Sequence, residues 1–249
     1  MSRLLGSHSF GSAFQRLLAL VRGLGIVQTF ALLIGTIDDK YLKCFDRRYH
    51  VKTSAFILLN TTSFDTKRLK DATQYGPTNA WAVRKILKWL NLSRELRFCD
   101  LGSGLGRICI LAAEYGFAKT TGVELAAEFC EVARHNLTTC RPPSGKLAPL
   151  EILQMDALDY CERSDDDVFF MFRPFSGEFL RQVLDRIAAR AQARRKTLTI
   201  IYSERAMVGV NHAETIAAHG AFRKQTEAII WGQAFYIFLT GPAASAVAK

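Results

Sequence analysis

The chain has 249 residues, of which 49% are hydrophobic and 22% are charged, so it can bury a substantial core and is not a disordered protein. Its formal net charge of +10 predicts a surface that attracts anionic partners, such as nucleic acid, an anionic membrane surface or an acidic protein. The six cysteines form no CxxC pair and have no nearby histidine at metal-ligand spacing, which favours reduced thiols in a reducing compartment over disulfides or a metal site.

Residues 1–37 form a basic and apolar arm. They contain Arg3, Arg16 and Arg22 but no acidic residue, and the run from Gly23 to Ile37 carries no charge. This run is shorter than the roughly 20 residues that a membrane-spanning helix needs. Three interpretations stay open: a helical extension packed on the domain, an interfacial membrane helix, or an organelle-targeting presequence.

Beyond the arm, the segment QYGPTNAW contains Pro77 and Thr78, which predict the start of a helix. From residue 96 onward, short apolar runs alternate with helical periods. Strands are predicted over 97–101, 120–124, 150–155, 167–172 and 197–202, and helices over 107–115, 126–137, 177–193 and 211–219. This alternation indicates parallel strands joined by crossover helices, and therefore an α/β, doubly wound sheet.

At the C-terminal end, two apolar runs flank Gly232 with no helix between them. They predict an antiparallel hairpin that completes a seven-stranded, mostly parallel sheet. We therefore expect an arm and linker over residues 1–70, one domain over 71–243 and a short tail over 244–249.

The first predicted strand runs into CDLGSGLGR, a glycine loop with Gly102, Gly104 and Gly106 just before a helix. Glycines at this position allow a tight turn and the close approach of a ligand to the backbone. The spacing is not the dinucleotide fingerprint GxGxxG, and no Lys-Ser/Thr pair follows as it would in a P-loop. The loop therefore predicts a ligand site of another kind.

Acidic residues stand at the ends of three consecutive predicted strands around this loop. Asp100 precedes the first glycine, where its carboxylate would repel a pyrophosphate and suit a ligand with an amino group and a sulfonium. Glu124 closes the second strand, where a carboxylate can accept both hydroxyls of an unphosphorylated ribose. Asp156 follows the third strand, where it could meet an adenine amino group. The pattern predicts a nucleoside ligand that carries positive charge.

The stretches DLGSGLGR, GVEL and QMDAL resemble motifs I, II and III of the class I S-adenosylmethionine-dependent methyltransferases. The longer run from YGPT to Asn136 is similar to one branch of that superfamily, a group of bacterial methyltransferases. It is more distantly similar to mitochondrial lysine methyltransferases and to the non-SET histone-lysine methyltransferase. The upstream DRRYHVKT also resembles an element of the bacterial group, so the resemblance covers roughly residues 46–240.

The resemblance implies which residues hold S-adenosylmethionine. Asp100 and the glycine-loop backbone would hold the methionine part, Glu124 would bind the ribose, and Asp156 with its neighbour would face the adenine. The YxPT element would cover the methionine end, although its tyrosine and threonine could instead be a core residue and a helix cap. The implied cofactor-binding residues are Tyr75, Thr78, Asp100, Gly102, Ser103, Gly104, Glu124, Asp156 and Ala157.

The implied acceptor pocket lies at the ends of the fourth and fifth strands, with Arg173, Phe175 and Glu204 as the candidate catalytic residues. The family usually has an asparagine in place of Arg173, and a guanidinium cannot accept a hydrogen bond from a substrate amine. Arg173 could pair with Glu204 or another carboxylate at the rim as structure, bind an acidic group near the acceptor, or mark a site that has lost or changed its chemistry. Phe175 would wall the pocket, and Glu204 and Tyr202 are the candidates for proton transfer.

The resemblance implies an enzyme that moves a methyl group from S-adenosylmethionine to an amino acceptor, with a protein lysine as the leading substrate and no metal. An RNA methyltransferase is an alternative, although the DPPY or NPPY signature used on base amines is absent. A noncatalytic scaffold or membrane-associated protein is another. A cytoplasmic location is expected, with membrane association through residues 1–37 or a mitochondrial location as alternatives.

Two further sets of polar residues are expected to lie at the solvent-exposed surface, although one of them could also be a docking surface. His135 and Asn136 end a predicted helix and are expected to be solvated. A basic helix over residues 181–196 predicts either a solvated face or a docking surface for nucleic acid or anionic lipid. Its cations are Arg181, Arg186, Arg190, Arg194, Arg195 and Lys196.

Overall fold

A computed structural model describes residues 42–55, 76–206 and 212–241. The arm over residues 1–37 and the candidate cofactor residue Tyr75 lie outside these ranges. Within them, no helix combines the length and the apolar character that crossing a membrane requires.

Seven strands form one sheet, in the order β3-β2-β1-β4-β5-β7-β6. Strands β1 to β5 pair in parallel, and β7 runs antiparallel between β5 and β6. The strands are β1 Arg97–Leu101, β2 Lys119–Glu124, β3 Leu150–Gln154, β4 Val168–Phe172, β5 Thr199–Arg205, β6 Phe222–Ile230 and β7 Gln233–Thr240. The predicted doubly wound sheet with a C-terminal hairpin is confirmed. The hairpin turn places Trp231 and Gly232 at φ values of 52° and 74°, the positive angles that a type I′ turn requires.

The helices lie on both faces of this sheet. They are α1 over residues 42–49 of the described chain, α2 Ala80–Leu90, α3 Arg107–Tyr115, α4 Ala127–Thr139, α5 Ala157–Arg163, α6 Gly177–Arg194 and α7 Ala213–Ala217. The sequence pattern does not predict α5, because its seven residues are too few to show a helical period.

Helix α2 begins two residues later than the sequence predicts. The side chain of Asn79 is its cap, since Oδ1 accepts the backbone N–H groups of Trp81 and Ala82 at 3.0 and 3.1 Å. The alternative in which Thr78 caps the helix is therefore wrong. Thr78 instead lies buried in the loop before the cap.

The core has two layers, one on each side of the sheet. On one side Val83 and Ile86 of α2 pack with Phe98 and Phe170 of the central strands. On the other side α6 packs its buried residues Leu180, Val183, Leu184 and Ile187 against the sheet. These two layers cover both faces of the parallel strands. Because those strands run in the same direction, their carboxyl ends lie at one edge of the sheet, where ligands bind in such folds.

Candidate functional site

The glycine loop between β1 and α3 is held closely against its neighbours. The backbone N–H groups of Gly102 and Ser103 both donate to the carbonyl of Val123, at 2.9 and 3.0 Å. Gly102 has a φ of +76°, and a Cβ built there would lie 2.5 Å from Cβ of Pro174. Conformation and space therefore both demand glycine, because the loop approaches the segment that follows β4.

Glu124 ends β2 and binds this loop directly. Its Oε2 accepts the backbone N–H of Gly104 at 2.9 Å, and its Oε1 accepts those of Leu125 and Ala126 at 2.8 and 3.0 Å. Burial raises the pKa of this carboxyl, and the three backbone hydrogen bonds act in the opposite direction. A carboxylate offers about four lone-pair positions, so Glu124 retains capacity to accept a hydroxyl from a ligand.

Asp100 is a buried carboxyl at the end of β1, 2% exposed. The Cys109 thiol donates a weak hydrogen bond to it at 3.6 Å. Burial raises the pKa of Asp100 to about 8; the Cys109 hydrogen bond lowers it and the charge of Glu124 raises it. In the part of the chain that the structure describes, no lysine or arginine forms an ion pair with Asp100. A buried carboxyl without a counter-ion suits a positively charged ligand.

These features fit S-adenosylmethionine. Its amino group and sulfonium would supply the positive counter-charge for the Asp100 carboxyl, and one of its ribose hydroxyls could donate to the acceptor position that Glu124 retains. The hydroxyl of Ser103, at the turn of the loop, is buried against Gly122 of β2 and has no hydrogen-bond partner among the described residues.

The other cofactor candidates lie on neighbouring elements. Asp156 caps α5, with Oδ1 accepting the backbone N–H of Leu158 at 2.8 Å, and Ala157 begins that helix as a buried residue. The carbonyl of Thr78 accepts a hydrogen bond of 3.0 Å from Arg107. Their contacts with a cofactor stay predictions.

Arg173 directly follows β4 with a φ of +44°, in the left-handed region that side chains other than asparagine, aspartate and glycine rarely adopt. The ion pairs formed within the described ranges do not include Arg173, so the alternative in which it pairs with Glu204 or another rim carboxylate is not found there as a direct contact. Burial raises the pKa values of Tyr202 and Glu204 and lowers that of His212, and the charge of Arg173 acts to lower all three. Arg173 thus acts on its neighbours through electrostatics.

Glu204 of β5 is only 4% exposed, and burial raises its pKa. The backbone N–H of His212, the charge of Arg173 and the hydroxyl of Tyr236 act in the opposite direction. Its Oε2 is buried and has no hydrogen-bond partner among the described residues. Glu204 therefore holds a proton more readily than an exposed glutamate and has an oxygen available to take one.

Together with its neighbours, Glu204 forms what we term the acceptor-side cluster, made of Arg173, Tyr202, Glu204, His212 and Tyr236. The hydroxyl of Tyr202 and Nδ1 of His212 are also buried without a partner in the described part of the chain. Burial, followed by the charge of Arg173, lowers the pKa of His212 and keeps its ring neutral at neutral pH. Two residues after Arg173, the ring of Phe175 meets that of Phe179 edge to face, with 5.0 Å between the ring centroids.

His212 and Tyr236 are members that the sequence does not predict. Tyr236 reaches the cluster because β7 pairs with β5 in the register that sets it opposite Tyr202. That register is a long-range property with no local signal. His212 immediately precedes the short helix α7, and only the weak helical pattern there could have drawn attention to it.

The basic helix α6 is largely neutralised within the molecule. Arg190 pairs with Asp165, Arg194 with Asp167, and Lys196 also with Asp167. Arg181 and Arg186 pair with Glu178 and Glu162. Acidic residues before the helix, at its first turn and on α5 thus reduce the positive field that the sequence suggests.

Comparisons with known proteins agree with this architecture. The family model "Histone methylation protein DOT1" matches residues 54–142, which contain the glycine loop and Glu124. No curated protein matches the chain. Among solved structures, a mutant of MtNAS in complex with S-adenosylmethionine has a TM-score of 0.51 and 16% identity, over 65% of this chain and 62% of that chain.

Two further solved structures resemble the chain more loosely. An RNA methyltransferase from Salinibacter ruber in complex with S-adenosyl-L-homocysteine has a TM-score of 0.48 and 20% identity, over 69% of this chain and 97% of that chain. The ribosomal protein L11 methylase from Lactobacillus delbrueckii subsp. bulgaricus has a TM-score of 0.49 and 13% identity, over 66% and 79%.

The sheet order, with its antiparallel β5-β7-β6 edge and flanking helices, is the class I methyltransferase fold. The glycine loop with its two buried acids carries the chemistry that S-adenosylmethionine requires. Fold, family-model match and loop chemistry together support an S-adenosylmethionine-dependent methyltransferase with S-adenosylmethionine as its cofactor.

Proposed function

We propose that the enzyme transfers a methyl group to an amino acceptor, and that this acceptor is a lysine side chain of a protein. The observation that carries the proposal is the buried carboxyl of Glu204, with one oxygen unpartnered among the described residues. A lysine ammonium has an ordinary pKa of about 10.4 and must lose a proton before its nitrogen can attack. A buried carboxylate at the acceptor side can act as the base that removes this proton.

S-adenosylmethionine supplies an activated methyl group on a sulfonium when it is bound. The displacement is in line, so the protein contributes mainly by aligning the acceptor and excluding water. The rings of Phe175 and Phe179, which contact each other, would give the acceptor side an aromatic wall suited to the stem of a lysine. Glu204 would take the proton from the ammonium, and its raised pKa makes it a stronger base than an exposed glutamate.

Arg173 fits this proposal through its charge. A guanidinium cannot accept a hydrogen bond from the amine, but a positive charge near an ammonium favours the neutral amine, which is the nucleophile. The same charge lowers the pKa of Glu204, so it limits how strongly that carboxyl holds the proton it receives. In this role the charge of Arg173 activates the substrate amine, whereas the asparagine of the resembling family would orient it.

Two observations favour a protein over RNA as the acceptor. The matching family model is described as a histone methylation protein, although it covers only residues 54–142. The cations of α6, which suggest nucleic-acid binding when the sequence is read alone, are mostly held in ion pairs with acidic residues of the same molecule.

Methyl labelling tests the proposal. The protein is incubated with S-adenosylmethionine carrying a tritiated methyl group and a fractionated lysate, and labelled protein is hydrolysed to identify methyllysine. A Glu124→Ala variant, which should not bind cofactor, is the control for labelling by other enzymes. We expect label in protein, as methyllysine. Label confined to RNA would refute the lysine acceptor, and cofactor binding without any label would favour a noncatalytic scaffold.

A further inference from the structure

Residues 42–54, which we term the N-terminal brace, bury the side chain of Arg107. Arg107 is the first residue of α3, directly after Gly106 of the glycine loop, and is 2% exposed. Its Nε donates to Oγ1 of Thr53 at 2.8 Å, and its Nη2 lies 3.2 Å from the carbonyl of Leu42. The brace thus encloses the positive charge of Arg107, which lies where the glycine loop joins α3.

Asp46 of the brace supplies the opposite charge. Its Oδ1 lies 3.2 Å from Nη2 of Arg107 and accepts the hydroxyl of Thr53 at 2.6 Å. Its Oδ2 accepts the backbone N–H groups of Thr53 and Ser54 at 2.7 and 2.8 Å. A buried guanidinium is stable only when it is paired and hydrogen-bonded, so the brace and Arg107 depend on each other.

The same guanidinium reaches the loop that carries the YxPT element. Its Nη1 donates to the carbonyl of Thr78 at 3.0 Å. A single side chain therefore connects the brace, the start of α3 and the segment just before α2. The glycine loop just before α3 and the segment before α2 both carry residues predicted to bind the cofactor.

A second connection runs through Asn136 of α4, which is fully buried. Its Oδ1 accepts the backbone N–H of Lys52 at 2.8 Å, and its Nδ2 donates to the carbonyls of Lys52 and Leu105 at 3.1 and 3.0 Å. Leu105 lies inside the glycine loop. The expectation that Asn136 is solvated is therefore wrong: it fastens the brace to the loop.

We infer that Arg107 and Asp46 are positioning residues for cofactor binding, and that the brace supports the cofactor site from outside it. They hold the glycine loop and the Thr78 segment in one arrangement without themselves being assigned to the cofactor. The matching family model begins at residue 54, so most of the brace precedes the matched region. The inference rests on S-adenosylmethionine as the cofactor and not on lysine as the acceptor.

Thr53 offers a matched pair of variants. Thr53→Val keeps the shape but removes the hydroxyl that joins Arg107 to Asp46, whereas Thr53→Ser keeps the hydroxyl. We expect the Kd for S-adenosylhomocysteine, measured by calorimetry, to rise about tenfold in Thr53→Val and to stay within about twofold of wild type in Thr53→Ser. The KM for S-adenosylmethionine should rise in parallel, with kcat at saturating cofactor unchanged.

Tyr49→Phe separates positioning from stability. The Tyr49 hydroxyl donates to Glu114 at 2.5 Å and so anchors the brace at a point away from Arg107. This variant should lower Tm as Thr53→Val does but leave the Kd unchanged. The inference is overturned if Thr53→Val binds the cofactor normally, or if Tyr49→Phe weakens binding as much. Normal cofactor affinity in an enzyme that labels only RNA would refute the lysine proposal alone.

Discussion

The backbone N–H of Gly104 and Oε2 of Glu124 are 2.9 Å apart, so a charge-assisted hydrogen bond joins the glycine loop to the end of β2. The residue predicted to bind the ribose therefore also shapes the loop predicted to bind the methionine part. Cofactor affinity and loop conformation should change together when this carboxylate is altered.

We expect Glu124→Gln to weaken S-adenosylhomocysteine binding by roughly tenfold to a hundredfold, because an amide accepts through one oxygen and cannot replace an ionic hydrogen bond. Calorimetry measures the change. Glu151→Gln is the matched control, since Glu151 lies on the neighbouring strand in a partly exposed pair with Lys119. Equal affinities in wild type and Glu124→Gln would show that Glu124 does not bind the ribose.

Much of the fold is predictable because its signals are local. The alternation of apolar runs with helical periods predicts five parallel strands, and the glycine loop with acidic strand ends predicts where the ligand binds. Helix α5 escapes prediction because it is a single short segment started by the Asp156 cap. Thr78 is mistaken for a cap because two capping residues stand side by side, and the helix uses Asn79, the more favourable type.

The rest of the site depends on contacts distant in sequence. Asp46 and Arg107 are 61 residues apart, and no local sequence pattern around either residue predicts a buried ion pair. Tyr236 reaches the acceptor-side cluster only through the register of β5 with β7. Asn136 reads as a polar residue near a helix end, and only the fold brings Lys52 and Leu105 to it. Such contacts can be identified only from the tertiary structure, since helical and strand periods predict which face of an element is buried but not which residues it contacts.

The pKa of Asp100 makes cofactor binding depend on pH. A cationic ligand prefers the ionised carboxyl, but burial raises the pKa of the free protein's Asp100 to about 8, so at pH 7 the group is mostly protonated. Binding at pH 7 should release a proton, which calorimetry in two buffers of different ionisation enthalpy detects. Asp100→Asn should bind more weakly and release none from this site. Comparing the two proteins cancels the titration of the ligand's own amino group.

The same carboxyl should lower the stability of the cofactor-free protein as the pH rises. Its pKa is about 3.9 in an unfolded chain and about 8 in the fold. Between these values the folded state holds a proton that the unfolded state has lost, so the free energy of unfolding falls with increasing pH. Asp100→Asn should remove this dependence and raise Tm at pH 8 by roughly a few degrees. Parallel Tm curves for wild type and variant across this window would contradict the burial effect.

Glu204 should affect the chemical step rather than cofactor binding. Glu204→Gln removes the base while preserving size, and loss of a general base reduces kcat by roughly a hundredfold or more. The rate of label incorporation into protein measures this, and the Kd for S-adenosylhomocysteine should stay within about twofold. Glu178→Gln, on the exposed first turn of α6, is the control. An unchanged rate would exclude Glu204 as the proton acceptor.

Arg173→Asn should change the electrostatics of the acceptor side without harming the fold. Arg173 has a φ of +44°, which asparagine adopts more readily than arginine, so Tm should be equal or higher. Removing the positive charge should raise the pKa of Glu204, because Arg173 lowers it now. The acidic limb of the pH–rate profile should then move to higher pH.

Arg173→Lys separates charge from shape at this position. It keeps the positive charge near Glu204 but not the guanidinium fork, so we expect the acidic limb to stay near the wild-type pH while Arg173→Asn shifts it. A large fall in Tm for both variants would instead make Arg173 a structural residue. An identical limb in all three proteins would mean that its charge does not reach the base, and the electrostatic role proposed for it would be wrong.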